Sequence, residues 1–150
     1  MRGWSSPQAQ PYAASMNAAA QVFAVLAAAI YIVVFPVESF LLRRHRWAQK
    51  FLSTPPENVR AVMMWAIPTG YRNLVIALGV IAGVVAANSG QLVVGYTLVV
   101  YCCANMVLTA PTMLLADIQG HYPSKWESVP GTLAATVPAL VALLLLPLGP

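Results

Sequence analysis

Residues 73–116 read NLVIALGVIAGVVAANSGQLVVGYTLVVYCCANMVLTAPTMLLA, 44 positions without one charged side chain. A hydrocarbon core of about 30 Å takes roughly 20 helical residues at 1.5 Å each. The stretch is therefore too long for one crossing and right for two joined by a tight turn. Asn88-Ser89-Gly90-Gln91 is its one cluster of turn-forming residues and marks the break. Nothing in it alternates with a period of two, and unpaired backbone groups are not tolerated in lipid, so the pattern predicts helices rather than a barrel.

Residues 3–37 and 128–150 are also free of charge. The twelve charged residues are confined to Arg2, to the segment from Glu38 to Arg72, and to the segment from Asp117 to Glu127. Charged residues make up 8% of the 150-residue chain and hydrophobic ones 59%, against about 25% charged in a soluble domain. That balance excludes an ordinary cytosolic enzyme, a disordered tail and a nucleic-acid-binding domain, although the formal net charge is +4. The sequence predicts an all-α, four-helix transmembrane bundle forming one membrane domain over residues 1–150. Its helices are expected at about 16–40, 64–87, 92–116 and 129–148. Only Arg2 precedes the first apolar run, which is longer than the 7–15 residues of a secretion signal, so an uncleaved first helix is expected.

Arg43, Arg44, Arg46, Lys50 and Arg60 lie in the first loop and Lys125 in the third, while the second loop has no basic residue. The positive-inside rule then sets both termini outside a cell (inner or plasma) membrane and loops one and three in the cytoplasm. In loop one, Leu41, Leu42, Trp47, Phe51 and Leu52 interleave with the cations, a composition suited to the headgroup layer. Arg43-Arg44-His45-Arg46 reads as a topology signal or as a headgroup site. Thr54-Pro55-Pro56-Glu57 has the spacing of a capping box with proline at the first helical position, so helix two is expected to start near residue 55. Pro68 is expected to kink it.

Small residues four apart let helices approach closely in lipid. Gly79 and Gly83 on helix two, and Ala20, Ala24 and Ala28 on helix one, make such stripes. They suit either packing within the chain or self-association. Ionisable and amide groups inside a span are costly and are functional by default. Arg72 and Asn73 on helix two, Glu38 at the inner end of helix one and Asp117 at the inner end of helix three all fall in the cytoplasmic half. Tyr31 shares a face with Glu38, and Tyr101, Asn105, Thr109 and Thr112 form a stripe at helical spacing. Converging, these faces would make a polar pocket of Arg72, balanced by Glu38 or Asp117, with Tyr31, Asn73 and Asn105 around it. The alternative is that Arg72 snorkels to the interface and Asn105 is interhelical glue.

No phosphate loop, metal-ligand spacing or catalytic set is visible, and no cofactor is expected. His45 and His121 are distant loop residues, and Cys102-Cys103 is a mid-span pair read as packing.

Glu38-Ser39-Phe40, the stretch Pro68-Thr69-Gly70-Tyr71-Arg72-Asn73-Leu74 with the later Gly79, and Pro138-Ala139-Leu140 before an aliphatic run together carry a likeness. Over residues 20–148 the chain resembles a small family of uncharacterised four-span bacterial membrane proteins, a domain of unknown function. Its members carry Glu-x-Phe on helix one and Asn-Gln-Gly-Leu-Tyr-Asn-Gly on helix two. Here Pro68 and Thr69 replace the first two residues of that motif, and Arg72 replaces its tyrosine. The resemblance implies the four-span topology and suggests that Glu38 and Asn73 belong to one site.

Three functions are compatible with the sequence. The first is a non-catalytic membrane protein in the lipid bilayer, an accessory subunit to other membrane proteins or a self-associating bundle. The second is a carrier or binding protein for a small anionic or amphiphilic ligand held around Arg72. The third is a membrane enzyme with Glu38 or Asp117 as proton donor or base.

Overall fold

The computed structural model describes residues 15–148. Arg2 of the charge count therefore lies outside the described residues. Asn17 opens the first helix, α1 (Ala18–Pro36), by accepting backbone N–H groups of Ala19 and Ala20 at 2.9 and 3.1 Å. Pro36 has no N–H to offer the preceding turn. There the chain widens into one π turn, Val37–Leu41, in which the Leu42 N–H donates to the Val37 carbonyl at 2.9 Å.

A short helix, α2 (Arg46–Phe51), follows, with Trp47 and Phe51 exposed and Ala48 fully buried. The expected capping box is not made. The Thr54 hydroxyl instead donates to the Leu52 carbonyl at 3.1 Å, and the Pro56–Asn58 turn has no side-chain cap. Thr54 turns inward because Ser53, at φ +49, reverses the chain just before it. From that turn the chain passes directly into α3 (Val59–Asn88), which runs through Pro68 without interruption.

Gly90, at φ +84, makes the tight turn after α3, where the Gln91 N–H closes on the Ala86 carbonyl at 2.9 Å. The next segment differs from the single helix expected over 92–116. It is α4 (Leu92–Thr109), then a break, then α5 (Thr112–Ile118). Pro111 is the reason, since it cannot donate to the turn before it. The last helix is α6 (Val129–Leu145), ending in a 3-10 turn at Leu146–Leu148.

All described elements are helical. Three segments, Ala18–Leu41, Pro56–Asn88 and Leu92–Ile118, are long and apolar enough to cross a membrane, and Val129–Leu145 is a shorter apolar helix.

Helix α1 packs on α3 and α6, and α4 packs on the same two, so α1 and α4 lie nearly opposite each other. Small side chains fill the centre. Ala20, Ala24 and Ala28 of α1, Ala77 and Val80 of α3, Val99 and Cys103 of α4, and Ala139 and Ala142 of α6 are fully buried. The glycines explain how closely α3 and α4 run. A Cβ on Gly79 would stand 2.6 Å from Cys102 Sγ, and one on Gly83 would stand 3.0 Å from the Gly95 carbonyl oxygen. Gly95 faces back across the same seam, where a Cβ would meet the Ala87 nitrogen at 2.7 Å. Both small-residue stripes are thus occupied by contacts within this chain.

Candidate functional site

Where α1 gives way to the π turn, the packed helices part around a cavity of about 580 Å³. Every long helix contributes to its wall, together with the end of α2 and the loop before α6. Its wall is polar at Glu38, Lys50, Arg72, Asn73, Tyr122 and Glu127, and apolar at Ile30, Val34, Ala134 and Ala135. Ile30 lies eight residues before Glu38, so the lining extends about 12 Å along α1 at 1.5 Å per residue.

The π turn positions the acid. One extra residue in that turn rotates the chain relative to an α-helix and brings Glu38 and Ser39 against α3. Gly70 is what lets α3 come so near. A Cβ there would overlap the Ser39 hydroxyl and come within 3.2 Å of the Phe35 carbonyl oxygen and 3.3 Å of Glu38 Cβ. One turn further along α3, Asn73 Nδ2 donates to Glu38 Oε2 at 2.9 Å. Asn73 is buried and Glu38 half-buried. Phe35 braces the corner with edge-on contacts to Phe40 and Tyr71, at centroid distances of 5.6 and 5.0 Å.

The structure thus brings together four of the six residues expected in the pocket: Glu38, Arg72, Asn73 and Tyr31. Tyr31 is buried beside Thr109 and within electrostatic range of Arg72. Two expected members stand elsewhere. Asp117 is buried outside the cavity, where its two carboxylate oxygens accept the backbone N–H groups of Trp126 and Ser128 at 3.0 and 2.9 Å. That chelation fixes the loop before α6, and two local N–H donors leave the carboxylate no reason to reach Arg72. Asn105 is half-buried and does not line the cavity. The stripe it belongs to is split: Tyr101 is 67% exposed on the outer surface, whereas Thr109 and Thr112 both line the cavity, the Thr112 hydroxyl donating to the Thr109 carbonyl at 2.6 Å. Arg72 also differs from expectation. It is exposed at the mouth, close enough to Glu38 to interact with its charge, and Asn73 rather than Arg72 holds the carboxylate. Among the described residues no lysine or arginine nitrogen lies within 4.0 Å of a carboxylate oxygen.

Sequence reasoning missed Lys50, Tyr122 and Glu127, which reach the cavity only because loops one and three fold over it. It also missed the π turn, whose signal was Pro36 standing two residues before Glu38 in an apolar helix. Tyr122 is half-buried, and burial, with the Asp117 and Glu127 carboxylates nearby, pushes its phenol above the ordinary value. Glu127 Oε2 accepts the Ser124 N–H at 3.1 Å. Among the described residues no three of His, Cys, Asp and Glu come together as a metal site.

The arrangement suits reversible binding of a molecule with a polar head and an apolar body. A family model described as a protein of unknown function (DUF1304) matches residues 25–147. The chain belongs to that family. Comparisons with curated proteins and with solved structures return no match. The DUF1304 match covers most of α1, all of α3, α4 and α6, and the whole cavity wall, from Ile30 to Ala135. The expected likeness to an uncharacterised family is thereby borne out.

Proposed function

We infer that this protein is a membrane-embedded binding protein or carrier for a small amphiphilic ligand. In this reading it is a four-helix transmembrane bundle in the cell membrane, with the cavity opening toward the cytoplasm and both termini outside. Helix α6 with its terminal 3-10 turn would rise about 31 Å, enough for a fourth crossing. The basic residues of loops one and three lie at the cavity end, which supports the orientation.

One observation carries the reading: a cavity of about 580 Å³ whose wall combines charged and polar side chains with apolar ones, in the size range of ligand sites. The glycine and alanine stripes are taken up by internal contacts, which weakens the case for a self-associating bundle. A single carboxylate fixed by an amide is too little for a reaction mechanism, so binding is preferred to catalysis.

Native mass spectrometry of the protein in a neutral detergent, with decyl phosphate and decylphosphoethanolamine as probes, tests this. A one-to-one adduct is expected with the unmodified chain and should be lost in Ala135→Trp, which puts a large side chain into the cavity wall. Equal adducts in both proteins, or none in either, would refute the cavity as a binding site.

A further inference from the structure

The charges around the mouth are balanced and unpaired. Lys50 and Arg72 supply two cations, and Glu38 and Glu127 two carboxylates, all lining one cavity. Arg72 interacts with Glu38 through space, yet none of the four comes within 4.0 Å of an opposite charge. Side chains this long pair readily when nothing lies between them. Here the cavity lies between them.

Partners already in place narrow what remains for a guest. Asn73 occupies Glu38 Oε2 and the Ser124 N–H occupies Glu127 Oε2. Each carboxylate keeps one oxygen to accept from a ligand. No hydrogen bond of the described residues engages the Lys50 ammonium or the Arg72 guanidinium, so both keep their donors. A purely anionic head would satisfy the cations and leave Glu38 facing a like charge. A purely cationic head would do the reverse. A head carrying an ammonium and an anionic group satisfies both sides at once.

We propose that the cavity selects zwitterionic amphiphiles with a primary ammonium, Glu38 accepting from the ammonium while Lys50 and Arg72 take the anionic group. Resting on the binding reading above, this names the head group that site prefers. A primary ammonium can donate to Glu38, whereas a quaternary one of the same charge has no N–H to give. The lining's extent of about 12 Å along α1, from Glu38 to Ile30, matches a single short tail.

The test measures affinities of decylphosphoethanolamine, decylphosphocholine and decyl phosphate for the intact protein in neutral detergent by titration calorimetry. The phosphoethanolamine is expected to bind about ten-fold tighter than either of the others, the ratio one charge-assisted hydrogen bond supports. In Glu38→Gln, which keeps an oxygen for Asn73 and so preserves the local packing, the three affinities should converge to within about two-fold. A circular dichroism melt of that variant checks that it is folded. Equal affinities for all three in the unmodified protein, or a preference unchanged in Glu38→Gln, overturn the head-group assignment and leave the cavity reading intact. No binding by any probe, or binding that survives Ala135→Trp, overturns the cavity reading itself.

Discussion

Gly95→Ala asks how tightly α3 and α4 are locked. A Cβ on Gly95 would stand 2.6 Å from Ala87 Cβ, 2.7 Å from the Ala87 nitrogen and 2.7 Å from the Gly83 carbonyl oxygen. Two of those atoms are backbone, so no rotamer change relieves them. To restore an ordinary contact of 3.4 Å the helices must separate by 3.4 − 2.7 = 0.7 Å at that level. A gap of that size forfeits about a quarter to a half of each contact along the seam, and overpacking of this kind costs about 1–3 kcal/mol. Alanine's better helix propensity returns up to about 1 kcal/mol. Gly131→Ala is the control, because nothing lies within 4 Å of the Cβ it would add, and it keeps the propensity gain alone. The propensity gain is common to both, so the two variants should differ by the overpacking cost alone, about 1–3 kcal/mol, or about 2–12 °C in Tm for a chain of this length. Thermal melts in one detergent, followed by circular dichroism, measure this. If Gly95→Ala melts within a degree of Gly131→Ala, the seam yields and the close-packing argument fails.

Asn73→Leu removes the donor from a half-buried carboxylate and should destabilise the protein by about 2 kcal/mol, read from the same melts. Asn73→Asp should cost more, because it sets two carboxylates side by side; equal melting of both variants with the parent would show the Glu38 contact to be idle. Asp117→Ala leaves the Trp126 and Ser128 N–H groups without acceptors and should cost about 1–3 kcal/mol, with faster proteolysis between Gln119 and Ser128. Asp117→Asn, which keeps one acceptor oxygen, should recover part of that loss, and an unaffected Asp117→Ala would refute the loop-fixing role. For the topology, Ser89→Cys and Ser124→Cys are placed in loops two and three. An impermeant thiol reagent should label them from opposite sides, with little background from Cys102 and Cys103, which are buried. Labelling of both from one side would remove the four-span arrangement.

The positions of the three long apolar segments and of the shorter apolar helix near the C-terminus were legible because a run of uncharged residues of helical length has few alternatives. The turn at Asn88–Gln91 was equally plain, since glycine there meets the left-handed backbone the turn demands. What sequence periodicity handled poorly were the two prolines that change helical phase. Pro36 precedes the π turn and Pro111 separates α4 from α5, and each breaks the spacing on which face assignments depend. Tyr31 and Glu38 converge although a phase change intervenes nearby, because both lie on the inward side before and within it. Thr109 and Thr112, on the two sides of Pro111, both reach the cavity, while Asn105, one turn before Thr109, does not line it. Asp117 was misjudged for another reason: the N–H groups it binds come from the backbone, which no side-chain pattern announces.

The widened turn at Val37–Leu41 also bears on how chains of this kind can be compared. A turn closed five residues back holds one residue more than a regular helix needs over the same rise. A chain lacking one residue there could keep every later helix in place, with an ordinary turn instead. Its acid would then rotate by about 100° and leave the carboxamide of α3 without its acceptor. Length variation of a single position between Pro36 and Leu42 is therefore expected to track changes at Asn73, and an alignment that pads this corner with a gap elsewhere would pair the wrong residues.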